Sequence, residues 1–304
     1  MSAMAAPTTE PDVNKMFARS DREGLLRLAS HAALLGASSG LLYFTAGTIA
    51  VLVAVPIHGV LLAFLFCPLH ETIHRTVFAS RAPNDWLAGV CGLVLVLPAR
   101  YFRAFHLAHH RHTQDAQLDP ELGAPKPASL PRYWWYLSGI PYWVDRIHTL
   151  AQHASGRVTD VFIAQDKRPA VVREARVHLA VYGLIAGVSW WTQSTVVLAY
   201  WLLPILVGQP ALRLFLLAEH SGCPAVADML KNSRTTLTNP LVRLIAWNMP
   251  YHTAHHRYPA VPFFNLPALH RKLSDRIAVV APSYTTFHRE FVRNLRRHEA
   301  EPAT

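Results

Sequence analysis

Four stretches of this chain are too apolar, for too long, to belong to an ordinary soluble fold. Residues 25–46 form a nearly uncharged run, and residues 47–69 form a second that Pro56 and His58 interrupt. Residues 175–191 and 195–217 repeat the arrangement. A helix of roughly 20 apolar residues rises about 30 Å, the thickness of a bilayer's hydrocarbon core. Short turns near residues 46–48 and 192–194 make each pair a hairpin, and Pro204 and Pro210 are expected to kink the fourth helix. Membrane helices tolerate such prolines when neighbours satisfy the freed carbonyls. Composition agrees: 51% of the 304 residues are hydrophobic and 16% charged, against about a quarter charged in soluble domains. Residues 85–97 are apolar for too short a length to span and are expected to lie interfacially or re-entrantly. Residues 133–143, crowded with Tyr and Trp between Pro131 and Pro141, suit the headgroup level.

Charge sets the expected orientation. Neither hairpin turn contains Lys or Arg. The positive-inside rule then places both termini and the long middle segment in the cytoplasm, in the inner membrane if the cell is bacterial. The expectation is an all-α, multi-pass integral membrane protein. It has four transmembrane helices in two hairpins and a cytoplasmic helical cap. One membrane unit covers residues 25–281, between an N-terminal tail (1–24) and a basic C-terminal tail (282–304). The net charge of +10 would raise the question of nucleic acid, but no nucleic-acid-binding signature accompanies it. Basic residues such as Arg19, Arg22, Arg27, Arg293, Arg296 and Arg297 flank apolar stretches and suit anionic headgroups. Cys67, Cys91 and Cys223 form no CxxC pair, which excludes the usual thiolate zinc and four-thiolate iron–sulfur sites. The first ten residues lack a signal-peptide core.

The 18 histidines are the chemical signal. His70 and His74 stand four apart at the end of the second apolar run. His106, His109 and His110 form an HxxHH cluster, and His252, His255 and His256 form another. His220 ends the fourth apolar run as the first pair ends the second. Residues three and four apart share a helix face, and adjacent histidines splay toward two points. All these positions fall on the side assigned to the cytoplasm. Nine imidazoles exceed the four of a structural zinc site and fit two first-row ions with positions left open. Ligand type alone leaves iron, copper, zinc and nickel open. His58, His148, His153 and His178 stand alone and read as hydrogen-bonded core residues.

The clusters, in this order on these helix ends, resemble the membrane fatty acid desaturase family. Asn248-Met249-Pro250-Tyr251-His252-Thr253-Ala254-His255-His256-Arg257-Tyr258-Pro259 is similar to that family's third box and its flank, and Phe264-Asn265-Leu266-Pro267 to the continuation. His109-His110-Arg111-His112-Thr113-Gln114-Asp115, then Asp119-Pro120-Glu121, is similar to the second box and its acidic tail. The resemblance covers roughly residues 70–273. It implies two non-haem iron ions held by the nine histidines, dioxygen as co-substrate and electrons from a separate donor of ferredoxin, rubredoxin or cytochrome type. The substrate would be a lipid or acyl chain: loss of two hydrogens gives a double bond, and insertion of oxygen an alcohol. Some desaturases place an asparagine four residues before the isolated histidine; here that position is Leu216. Ligating histidines commonly donate their second N–H to a carboxylate or carbonyl, so Glu71, Asp115, Asp119, Glu219 and Asn248 are candidates for that supporting role. Arg75, Arg100, Arg103 and Arg111 are candidates for an acidic head group or lipid phosphate. A hydroxylase on the same scaffold is the second reading, and a metal transporter or storage protein the third.

Overall fold

A computed structural model describes residues 12–300. The protein is built from helices, with one two-residue parallel strand pair, Thr235–Thr236 against Val280–Ala281. Among the described residues, three helical stretches are long and apolar enough to cross a membrane: Asp21–Thr45, Val51–His74 and Leu198–His220. The pair Arg81–Leu95 and Ala99–His112 passes the same test jointly but is bent by 99°, as a broken span or a re-entrant loop would be. The expected third span falls in a helix of 24 residues, Arg168–Trp191. Glu174, Arg176 and His178 dilute its apolar character, and it does not rank with the other three.

Helix α1 (Asp21–Thr45) starts at Ser20, whose side chain accepts from the Glu23 N–H, a capping arrangement that satisfies an otherwise orphaned donor. The second stretch divides into α2 (Val51–Ala63) and α3 (Phe66–His74). Pro68 has no N–H to give the Phe64 carbonyl, and the ladder shifts just before it: Leu65 N bonds to Leu62 O at 3.1 Å. The Leu61 carbonyl so released accepts from His31 Nε2 of α1 at 3.1 Å.

The fourth stretch opens on a π-helical turn, Leu198–Leu202, and continues as α9 (Leu203–His220). Pro204 denies a partner to the Tyr200 carbonyl. His58 of α2 supplies it, with Nε2 at 3.0 Å, while its Nδ1 meets the Ser38 hydroxyl of α1 at 2.7 Å. The lone His58 is therefore a structural bridge between three apolar helices. Helices α2 and α9 run in the same direction, touching in order at His58–Tyr200, Gly59–Gly208 and Phe64–Phe215. At the crossing a Cβ on Gly59 would sit 1.9 Å from the Pro204 oxygen. Close approach of small residues replaces the hydrophobic drive that lipid removes. Because both helices ascend together, their histidine-bearing ends lie at one end of the bundle and the two turns at the other. Large apolar side chains stay exposed along the outer faces, including Phe44, Ile49, Leu52, Trp190, Trp191 and Leu198, as lipid-facing positions would be.

Helix α4 (Arg81–Leu95) ends on Val96 in the left-handed region, φ 55°. Pro98 then starts α5 (Ala99–His112) in a new direction. Glu174 of α8 (Arg168–Trp191) caps α5, its Oε2 accepting from the Arg100 N–H at 2.9 Å. The aromatic segment forms α6 (Leu130–Leu137) and α7 (Ile140–Ala154). Tyr133 is buried, while Trp134 and Trp135 are exposed. Short helices α10 (Pro240–Ile245), α11 (His252–Arg257) and α12 (Leu266–Leu273) close the histidine end.

The expected C-terminal tail is not separate from the body. It forms α13 (Tyr284–Ala300), whose Phe287 and Leu295 are buried with Tyr133, Leu137 and Leu217. Its pattern of apolar residues at helical spacing needs a partner, and α6 and α9 provide one. Of the expected N-terminal tail, residues 1–11 lie outside the described residues; Val13 is buried, and the Met16 carbonyl accepts from Asn265.

Candidate metal centre

The histidines arrive from four elements: His70 and His74 on α3, His106, His109 and His110 on α5, His220 at the end of α9, and His252, His255 and His256 on α11. All are buried except His74, which is half-buried. They form two adjoining groups. Ligand atoms of His70, His74, His106, His110 and His255 lie within 4.8 Å of one another, and so do those of His109, His220 and His256. His252 joins the second group, its Nε2 2.9 Å from His220 Nε2. The groups touch along α5 and α11, where His110 and His256 stack with ring centroids 4.1 Å apart. All nine expected residues are thus brought together.

Hydrogen bonds on the outer nitrogens turn the inner ones inward. His109 Nδ1 donates to Asp119 Oδ1 at 2.9 Å, and His220 Nδ1 to the Asn232 carbonyl at 3.1 Å. His256 Nδ1 lies 3.3 Å from the Thr113 hydroxyl, which itself donates to the His109 carbonyl. His252 Nδ1 lies 3.3 Å from Glu219 Oε1, without hydrogen-bond alignment. With these protons placed outside, each Nε2 offers a lone pair to the interior.

The inner nitrogens meet one another at His106–His110 2.9 Å, His110–His255 3.1 Å and His109–His220 3.2 Å. For His109 and His220, whose protons are held on Nδ1, two lone pairs at this distance repel unless a cation or a proton lies between them. Two imidazole nitrogens bound about 2.1 Å from one ion, at right angles, stand about 3.0 Å apart, which matches. Both nitrogens of His70 and the Nε2 atoms of His74 and His256 are buried with no hydrogen-bond partner among the described residues. At about 1–3 kcal/mol each, leaving them bare would consume a large part of a stability of about 5–15 kcal/mol. Burial, then the neighbouring imidazoles, push His252, His255 and His256 well below the ordinary histidine range, so these rings are neutral and ligand-competent. Burial opposes ionisation of Asp119, yet the His109 hydrogen bond and the N–H groups of Gln114 and Glu121 hold it below its usual value. The donor set fits a pair of first-row ions.

The expected supporting residues divide. Asp119 and Glu219 sit beside imidazoles, at 2.9 Å from His109 and 3.3 Å from His252. Asp115 does not: it is exposed, and its carboxylate accepts from the N–H groups of Gln117 and Leu118, holding a turn. Glu71 is fully buried but receives the Thr76 hydroxyl at 2.7 Å, stabilising the left-handed end of α3 rather than an imidazole. Asn248, itself left-handed at φ 60°, donates to the Phe263 carbonyl at 3.1 Å and fixes the entry to α11. Leu216 packs against the apolar core. Arg75 is committed to Asp85 at 3.0 Å, Arg100 and Arg111 are exposed, and Arg103 carries a buried nitrogen without a hydrogen-bond partner among the described residues. His153 pairs with Asp160 at 2.8 Å, His178 with the Glu174 carbonyl at 2.9 Å, and His148 with Gln152 at 3.2 Å. Three contributors carry no role in the sequence reading: Thr113, the Asn232 carbonyl and Glu121, whose Oε2 lies 3.3 Å from His109 Nε2. A backbone carbonyl leaves no sequence signal. Glu121 had one, in the acidic tail after the second cluster.

The described residues thus combine helices long and apolar enough to cross a membrane with nine gathered histidines that could hold metal ions. A sequence profile described as fatty acid desaturase matches residues 46–288. The chain belongs to the fatty acid desaturase family, a family of oxidoreductases. It is similar to an sn-1 oleoyl-lipid 12-desaturase of a Picosynechococcus strain, 24% identical over 229 residues, covering 68% of this chain and 64% of that protein's length. A sphingolipid delta(4)-desaturase of Drosophila melanogaster is 24% identical over 76% of this chain and 68% of its own. A beta-carotene ketolase of a Paracoccus strain is 26% identical over 68% and 74%.

Proposed function

We propose that this protein is a membrane di-iron oxidoreductase that uses dioxygen and external electrons to desaturate a fatty acyl chain, free, carrier-linked or lipid-linked. The observation that carries the reading is the pair of adjoining groups of buried imidazoles at the end of apolar helices. His70, His74, His106, His110 and His255 would hold one ion; His109, His220, His252 and His256 would hold the other. Bound there, the ions supply the redox chemistry and dioxygen activation that attack on an unreactive C–H bond requires. The chain's own share is geometric. Asp119, Asn232 and Thr113 fix the orientation of three rings, and burial of the cluster excludes water from the reacting region. A long hydrocarbon would approach the cluster along the apolar helices that carry it.

The basic segments favour placement of both termini and the histidine end in the cytoplasm, with four spans if α8 and the two hairpins cross fully. An electron donor would then dock from that side. A second reading, an oxygenase of the same scaffold, is favoured by one observation: a relative named ketolase is 26% identical to this chain where one named desaturase is 24%. Mass spectrometry of total lipid from cells with the gene, without it, and with His255→Ala separates these. Desaturation predicts products lighter by two hydrogens that vanish in the variant. Products heavier by one oxygen would favour the second reading, and identical lipids in all three would overturn both.

A further inference from the structure

The second group has four imidazoles where the first has five, and a carboxylate stands beside it. Glu121 lies on the tight turn Pro120–Gly123, which Asp119 caps. Asp119 Oδ1 accepts from the Glu121 N–H at 2.9 Å and from His109 Nδ1 at 2.9 Å. One carboxylate therefore sets both the ring of His109 and the place from which Glu121 reaches out. Glu121 Oε2 comes to 3.3 Å from His109 Nε2, and that nitrogen also faces His220 Nε2 at 3.2 Å. Asp119 and the Asn232 carbonyl hold the protons of both rings on Nδ1. Glu121 Oε2, His109 Nε2 and His220 Nε2 thus follow one another at 3.3 and 3.2 Å along the edge of the second group. The Glu121 side chain is 37% exposed, and His109 is its ion-pair partner within 4.0 Å among the described residues.

The geometry points to Glu121 as a ligand: its carboxylate completes the second ion's shell, so that the two ions carry different donor sets, one of nitrogen alone and one of nitrogen and oxygen. This rests on the di-iron reading above. Oxygen donors are harder than imidazole, and an anionic ligand favours the more oxidised state of the ion it binds. The competing account is a doubly protonated His109 clasped between Asp119 and Glu121, with no role for Glu121 toward metal.

The full-length protein would be purified in detergent and loaded with 57Fe, then examined by elemental analysis and Mössbauer spectroscopy. Wild type is expected to hold two irons in two distinguishable doublets. Glu121→Gln, nearly isosteric, is expected to alter one doublet and leave the other in place. Glu121→Ala is expected to retain about half the iron, and Glu121→His to restore it. Size-exclusion elution at the wild-type volume checks that each variant is folded, and the Gln variant serves alone if the others aggregate. Two irons with both doublets unchanged in Glu121→Gln overturns the ligand role and leaves the di-iron reading standing. A wild type that binds no iron overturns both.

Discussion

An imidazole that holds a metal needs its two nitrogens to do different things, and the second group shows how the chain arranges this. The outer nitrogen of His109 is pinned by Asp119, that of His220 by the Asn232 carbonyl, and that of His256 by Thr113. Removing such a partner typically weakens metal binding about 10–100-fold. Asp119→Asn should therefore loosen one iron by that order in a chelator competition while the other stays tight. Unchanged affinity for both would leave Asp119 only its turn-capping bonds to Gln114 and Glu121. The spacing of the histidines made the gathering of their rings readable, because i, i+3 and i+4 positions share a helix face. The supporting residues were not equally readable. Asp115 and Asp119 are both acidic and both follow the second cluster; only the turn between them decides that one faces solvent and the other a ring.

At the scale of helices, prolines and glycines do the positioning. Pro68 and Pro204 each interrupt a ladder, and the stranded carbonyls are taken up by His31 and His58. Gly59 and Gly208 let α2 and α9 meet backbone to backbone, which brings His70 and His220 to the same end. Gly59→Ala must push the helices apart, at a cost of about 1–3 kcal/mol or more. Its melting temperature in detergent should fall clearly below wild type, whereas Gly36→Ala, where a Cβ meets open space, should not. A Gly59 variant as stable as wild type would mean that the crossing is looser than described. The apolar runs announced α1, α2 with α3, and α9, because lipid thickness imposes a length. The short apolar run at residues 85–97, expected to be interfacial or re-entrant, falls in the bent pair α4 and α5; the docking of α13 was not visible in advance, since it depends on Phe287 meeting α6 and α9.

For the whole molecule, the buried imidazoles tie stability to pH. Burial depresses His252, His255 and His256, so the unfolded chain takes up protons first as pH falls. Their folded pKa lies below the unfolded value of about 6.5, and stability therefore rises with pH. Iron-free protein should be at its most stable above about pH 6.5 and lose stability progressively below it. Thermal unfolding of the metal-free form at pH 8 and pH 5.5 checks this; equal midpoints would mean that the rings are not held neutral. The cluster draws on α3, α5, α9 and α11, so its assembly requires the complete fold, and a variant that misplaces any one element should lose metal before it loses helix.

The most direct test is to locate the metal itself. Anomalous diffraction at the iron edge from crystals of the iron-loaded protein should give two peaks, one enclosed by His70, His74, His106, His110 and His255, the other by His109, His220, His252 and His256. A single peak, or iron lying outside these rings, would contradict the account.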